Sequence, residues 1–133
     1  MSSDTKPLPE QYNGQPLRSI RDLSVGERAS FSKTISEADV YGFAGISGDF
    51  NPLHVDAEYA KATRFGGRIA HGALLTGLIS AVLGMKLPGP GALYASQQLD
   101  FRRPVHIGDT ITATAEITAR DEARNRITLK TTC

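Results

Sequence analysis

Two residues of opposite acid–base character lie on either side of a turn signal near the middle of the chain. Asp49 and His54 are five positions apart in residues 47–54, SGDFNPLH, here called the octet. Pro52 has a fixed φ and no N–H, and it displaces Asn51 from the α region. We therefore expect the chain to leave a helix here and double back, which can aim both side chains at one point. A carboxylate beside an imidazole can accept one proton and donate another, as the activation of a water molecule requires.

A purely structural interpretation of the pair is also open. Asp49 would then cap the following turn, and His54 would be a hydrogen-bonded core histidine, because short motifs often arise by chance. The whole octet, however, resembles the signature of the MaoC-like, (R)-specific enoyl-CoA hydratase family, roughly small-Gly-Asp-x-Asn-Pro-aliphatic-His, at every position. The resemblance covers about residues 20–133. It implies a hot-dog fold, in which an antiparallel sheet wraps around a long central helix.

The resemblance also implies an activity, the hydration of trans-2-enoyl-CoA to (R)-3-hydroxyacyl-CoA. Asp49 and His54 would hold one water, Asp49 taking its proton as the oxygen adds at C3 and His54 protonating C2. No cofactor is implied beyond coenzyme A as the carrier of the substrate, and the expected assembly is a homodimer or larger homo-oligomer built by joining two sheets. Two alternatives stay open: a hot-dog acyl-CoA thioesterase, and a non-catalytic acyl-CoA-binding subunit.

The bulk composition limits the class of protein. A chain of 133 residues is typical of one domain, and its net charge of +1 gives no reason to expect a nucleic acid or an anionic membrane as partner. The single cysteine, Cys133, cannot form an internal disulfide. No apolar segment of a signal peptide is visible at the N-terminus, so we expect a reducing, cytoplasmic location.

Local patterns predict the elements before the octet. Residues 1–17 are polar and contain three prolines, which predicts a flexible tail ahead of a domain spanning 18–133. Residues 30–35 alternate as in a short strand. Ser36 followed by an acid at Asp39 predicts the start of a helix that ends at Gly48.

The elements after the octet complete an α+β layout. A short helix is expected over 56–63, with Tyr59 and Ala60 inward, followed by a helix over 72–85 that is apolar nearly all round and therefore buried. Strands are predicted over 92–103, over 110–118 with clean alternation, and over 126–133. Because another strand usually follows in hot-dog folds, we expect either a truncated C-terminal strand or an edge covered by a partner.

The start of the long helix is a second candidate for chemistry. Free N–H groups and the helix dipole favour negative charge there, so the N–H of Gly72 can stabilise an enolate. The simpler role of Gly72 is to clear space for packing, and His71 is interpreted as structural. The resemblance places Gly72 in the oxyanion segment, and it lets Ser80 and Leu83 line the acyl site. Ser80 could equally bond its own i−4 carbonyl.

Other polar residues have two possible roles each. Asn51 could hold the substrate or form an Asx turn before the proline. Arg102 or Arg103 could meet the phosphates of coenzyme A or remain a solvated edge charge, and the same applies to Arg64 and Lys86. His106 is predicted to be exposed in a turn. Because no histidine or cysteine spacing typical of metal ligands occurs, no metal site is predicted.

Overall fold

The computed structural model describes residues 6–7 and 9–133. Its strands are β1 (Gln11–Tyr12), β2 (Gln15–Pro16), β3 (Arg28–Thr34), β4 (Thr110–Asp121) and β5 (Arg126–Thr132). Its helices are α1 (Glu37–Ser47), α2 (Pro52–Val55), α3 (Ala57–Lys61) and α4 (Gly72–Met85), with a 3₁₀ turn at Ile20–Asp22. Within these residues no helix is both long and apolar enough to cross a membrane.

The three long strands form one antiparallel sheet in the order β3-β4-β5. Phe31 lies opposite Ala113, and Ile117 lies opposite Leu129. The register shifts after Ile117, which marks a bulge in β4. The predicted alternation of β4 is confirmed, since Ala113, Ala115 and Ile117 are buried. β4 continues three residues beyond the predicted strand end at 118, and the predicted strand over 126–133 is present as β5.

The main core lies between this sheet and one face of α4. Leu74, Leu78 and Val82 of α4 share a cluster with Ala113 and Ala115 of β4. Burying a leucine or valine side chain stabilises a fold by roughly 1.5–3 kcal/mol. This contact therefore fixes α4, and with it the residues at its N-terminus.

The prediction that α4 is buried all round is wrong for the single chain. Its opposite face is open, and Met85 is 66% exposed. Ala73, Gly77 and Ser80 lie on the same open side. The physical reason is that a three-stranded sheet covers only one side of a helix, whereas composition alone does not tell which side has a neighbour.

The cap signals of α1 are confirmed. The Ser36 hydroxyl accepts from the Asp39 N–H at 3.1 Å, and the Asp39 carboxylate accepts from the Ser36 N–H at 2.9 Å. The second bond is the largest reason that the pKa of the Asp39 carboxyl lies below its usual value. At the other end Gly48 has a φ of 81°, a left-handed conformation that suits glycine.

Residues 92–103 do not form the predicted strand. They run without assigned secondary structure, and every residue from 91 to 104 is exposed. The apolar residues Leu93, Tyr94, Leu99 and Phe101 led to the prediction of a strand, but a strand also needs a neighbouring backbone to bond. Among the described residues none pairs with this segment.

The prediction for Tyr59 also needs correction, whereas the flexible tail stays a prediction. Tyr59 does not face inward but is 51% exposed, whereas its neighbour Ala60 is fully buried. Because α3 has only five residues, its direction is set by the chain around it rather than by its own apolar pattern. Within the predicted flexible tail, β1 and β2 form a small hairpin whose turn has positive φ at Asn13 and Gly14. Residues 1–5 and 8, also part of that prediction, lie outside the described residues.

Candidate active site

The octet folds as a turn between two helices. After Gly48 ends α1, the chain reverses and α2 begins at Pro52, the helix position that proline favours. Asn51 caps α2, because its side-chain oxygen accepts from the Leu53 N–H at 3.1 Å. The predicted exit from the helix is therefore confirmed. Asp49 lies in the turn and His54 on α2.

The turn brings three ionisable side chains together. One oxygen of Asp49 and one nitrogen each of His54 and His71 lie within 4.8 Å of one another. His71 comes from the residue just before α4, 22 positions beyond Asp49. Asp49 is exposed, whereas His54 and His71 are only 7% and 2% exposed. A water molecule can therefore reach the carboxylate from one side and meet an imidazole on the other.

A backbone carbonyl sets the orientation of His54. Its Nδ1 lies 2.7 Å from the Ile69 oxygen. Because a carbonyl oxygen only accepts, Nδ1 carries the hydrogen of this bond. In the neutral ring Nε2 then has the free lone pair, so it is the atom that can take up a proton and give it back.

Two bonds within the turn hold Asp49. Its N–H donates to the Ser47 hydroxyl at 3.1 Å, and its Oδ1 accepts from the Asn51 N–H at 3.1 Å. The other carboxylate oxygen is open to a proton from water. An oriented carboxylate and an imidazole with a free nitrogen can together move two protons on one water molecule.

The position of Gly72 suits both roles considered for it, and its role toward an oxyanion stays a prediction. It is the first residue of α4, where backbone N–H groups have no partner within the helix. A Cβ placed on Gly72 would lie 2.8 Å from Cε1 of the Phe101 ring, so the missing side chain also makes room for packing. The Gly72 N–H therefore lies at a helix end that favours an oxyanion, and the Phe101 ring lies close to Gly72.

Two depressions adjoin α4. The first, with a volume of about 310 Å³, is lined by Phe43, Ala73, Thr76, Gly77, Ser80, Tyr94 and Gln97. The second, of about 360 Å³, has Gly72 and Phe101 in its wall together with three arginines, Arg64, Arg102 and Arg103. The segment 92–103 borders both depressions. The sequence did not indicate Tyr94 or Gln97, because their position depends on how this segment crosses the helix.

The remaining predicted residues lie elsewhere. Leu83 is half-buried against the main core and is not among the lining residues of either depression. Lys86 donates to the Ser30 carbonyl oxygen at 2.6 Å. The prediction of an exposed His106 is wrong, since this ring is half-buried and its Nε2 bonds the Phe65 oxygen at 2.9 Å. The roles of Asn51, Ser80 and Leu83 toward a substrate stay predictions.

The three clustered side chains also form a donor set that zinc accepts, one carboxylate and two imidazoles. Sequence spacing did not predict this cluster because its members come from separate segments. One nitrogen of each ring already bonds a backbone oxygen, that of His54 to Ile69 and that of His71 to Asp49. A cation would have to use the other nitrogen of each ring. The absence of a metal stays a prediction.

An antiparallel sheet on a long helix, with an acid–imidazole pair at the N-terminus of that helix, defines a hot-dog protein of the hydratase type. Residues 23–133 match the MaoC like domain, and the chain belongs to this family. It is 53% identical to an (R)-specific enoyl-CoA hydratase of Rhodospirillum rubrum over 117 residues, covering 88% of this chain and 81% of the relative. It is 52% identical to a 3-hydroxybutyryl-CoA dehydratase of Methylorubrum extorquens over 114 residues, covering 86% and 73%.

A solved structure shows the same fold. The (R)-hydratase of Aeromonas caviae involved in PHA biosynthesis superposes with a TM-score of 0.81 at 46% identity, covering 84% of each chain. The resemblance inferred from the octet and the predicted hot-dog fold are thereby confirmed.

Gly72 is tested by the substitution Gly72→Ala. The added methyl group would meet the Phe101 ring and displace it over the helix end, so we expect a loss of turnover of about 10-fold or more, the scale for a disturbed oxyanion donor. Gly84→Ala on the same helix is the matched control, because nothing lies within 4 Å of its added methyl group and Gly84 lines neither depression. Steady-state rates of both variants check this. Equal turnover of the two variants would contradict the role of the Gly72 N–H as an oxyanion donor.

Proposed function

We propose that this protein catalyses the reversible, (R)-specific hydration of trans-2-enoyl-CoA to (R)-3-hydroxyacyl-CoA. The observation that carries the proposal is the convergence of Asp49, His54 and the first turn of α4 at one point. It is supported by the (R)-hydratase and dehydratase relatives in the same family. The arrangement offers a general base, a general acid and an oxyanion donor, which are the three groups that addition of water to a conjugated thioester needs.

In the proposed mechanism one water lies between the two side chains. The Asp49 carboxylate takes a proton from this water as its oxygen bonds to C3. The double-bond electrons then move toward the thioester, and the Gly72 N–H stabilises the enolate oxygen. His54, protonated at Nε2, gives its proton to C2. Asp49 then releases the proton that it gained to solvent and His54 takes up one from solvent, so both side chains return to their starting states. The product has gained one oxygen and two hydrogens from water.

The acid–base pair is tested with crotonyl-CoA, by following loss of the enoyl-thioester absorbance and assaying the product with an (R)-specific dehydrogenase. Asp49→Asn and His54→Ala should each lower turnover by roughly 10²–10⁴, the usual contribution of a general acid or base. Asp56→Asn is the matched control: it removes a nearby exposed carboxylate, and asparagine also serves as the cap of α3. Near-normal turnover of both site variants would contradict the proposed roles.

The same assay separates the alternative reaction. If the wild-type protein released free thiol from crotonyl-CoA without hydrating it, attack would occur at the carbonyl, and the protein would be a thioesterase. If it did neither with crotonyl-CoA and longer enoyl-CoA substrates, the hydratase proposal would fail in favour of a binding function.

We propose coenzyme A as the carrier, with no further cofactor. Arg64, Arg102 and Arg103 line the same depression as Gly72, and all three are exposed. Among the described residues none of them forms an ion pair with an acid. Guanidinium groups bind phosphate oxygens strongly, so the nucleotide part of coenzyme A suits this depression.

The carrier proposal is tested by replacing Arg102 and Arg103 with glutamine. We expect KM for crotonyl-CoA to rise about 10-fold, as for the loss of a charge-assisted hydrogen bond. The KM for crotonyl-pantetheine, which lacks the nucleotide, should not change. Arg126→Gln on β5 is the control for a general loss of positive charge. An equal KM increase with both thioesters would contradict phosphate binding.

We further propose a homodimer in the cytoplasm. Large apolar side chains are exposed, with Leu93 at 92% and Phe101 at 63% on the segment 92–103 and Ile46 at 89% on α1. Large exposed apolar surface is typical of an interface. Sedimentation velocity should give twice the chain mass of 14.3 kDa, and Leu93→Glu should favour the monomer whereas Val25→Glu should not. A monomer at micromolar concentration would contradict this proposal.

A further inference from the structure

His71 is the one member of the cluster that the proposed mechanism does not use. It occupies the N-cap position of α4, yet its side chain makes no cap hydrogen bond. Its Nε2 instead lies 2.9 Å from the backbone oxygen of Asp49. Since that oxygen can only accept, the hydrogen is on Nε2 of His71. The buried ring therefore reaches across to the residue that bears the candidate base.

The same ring also contacts the candidate acid. The ring centroids of His71 and His54 are 3.8 Å apart, with an angle of 31° between the ring planes. The ring centroid of Phe43 lies 4.7 Å from that of His71. The Nδ1–H of His54 donates to the carbonyl oxygen of Ile69, and Ile69 is only two residues before His71 in the chain. One short segment, residues 69–71, therefore holds both site residues, His54 through Ile69 and Asp49 through His71.

The second nitrogen of His71 shows that packing alone does not explain the imidazole. Nδ1 is buried and has no hydrogen-bond partner among the described residues. An unpaired buried acceptor destabilises a fold, and a phenyl ring would fill the same space without one. The feature that a phenyl ring would lose is the N–H donated to Asp49.

We propose that His71 is a positioning residue, which holds the Asp49 backbone by its Nε2–H and supports the His54 ring so that the two side chains address the same water. This role rests on the proposed hydratase reaction. A displacement of about 1 Å at a site can lower a rate by about 10²-fold, so a bond to the backbone of the base can affect turnover strongly without contacting substrate.

Two substitutions separate the hydrogen bond from the ring. His71→Phe keeps a flat ring against His54 and removes the donor, whereas His71→Gln supplies an N–H in place of the ring. We expect His71→Phe to unfold at or above the wild-type temperature and to lose at least about 10-fold in kcat with an unchanged KM. His71→Gln should recover at least about threefold of that loss.

The matched control is His106→Phe. His106 also bonds a backbone oxygen through Nε2 at 2.9 Å, but that oxygen belongs to Phe65 rather than Asp49, and His106 lines neither depression. Its kcat should stay within about twofold of wild type. A normal kcat for His71→Phe, no recovery with His71→Gln, or a rate loss that follows a lower unfolding temperature would each overturn the positioning role.

An NMR measurement keeps this test separate from the activity itself. Long-range ¹H–¹⁵N spectra of the wild-type imidazoles at a pH where they are neutral should show opposite tautomers, with the hydrogen on Nε2 in His71 and on Nδ1 in His54. The same tautomer in both rings would overturn the proposal whether or not the protein hydrates enoyl-CoA. Opposite tautomers together with an inactive wild-type protein would leave the geometry supported and the proposed function rejected.

Discussion

The packing of α4 on the small side chains at the centre of β4 is the constraint on which the rest of the structure depends. Ala113 and Ala115 are fully buried and have short side chains, so a helix can lie close above them. Leu78 and Val82 fill the space that remains. Larger residues on the strand would lift the helix, and its N-terminus would then move relative to the turn that contains Asp49.

The site is assembled from two turns that are far apart in sequence. The first, between α1 and α2, presents Asp49 and His54, and its shape follows from Gly48 and Pro52, which stop one helix and start the next. The second, residues 69–71, leads into α4 and bonds both of them. The geometry of the acid–imidazole pair therefore depends on tertiary packing as much as on the residues themselves.

The local parts of this structure could be predicted from the sequence. The Ser36–Asp39 cap, the end of α1 at Gly48 and the alternation of β4 depend on neighbours within a few residues, and all three are confirmed. The octet indicated the family, which is confirmed, and the candidate pair Asp49 and His54, which the structure brings together.

The predictions that are wrong concern features that depend on contacts between residues far apart in the sequence. Residues 92–103 carry the apolar side chains of a predicted strand but have no pairing partner among the described residues. The open face of α4 depends on how many strands lie beneath the helix. The exposure predicted for His106 is wrong because its hydrogen-bond partner, the Phe65 carbonyl, is 41 residues away in the sequence. The contact of His71 with Asp49 likewise joins residues that no local pattern connects.

The short helix α2 is held in place by hydrogen bonds to Ile69. Four residues are too few to hold a helix in water, so its shape depends on bonds to the rest of the chain. Ile69 supplies them from both sides, since its N–H donates to the Leu53 oxygen at 3.1 Å and its own oxygen accepts from His54. The amide hydrogen of Ile69 can exchange with solvent only when this pairing opens. Its exchange rate therefore measures how often the imidazole leaves its place, even in the absence of any substrate.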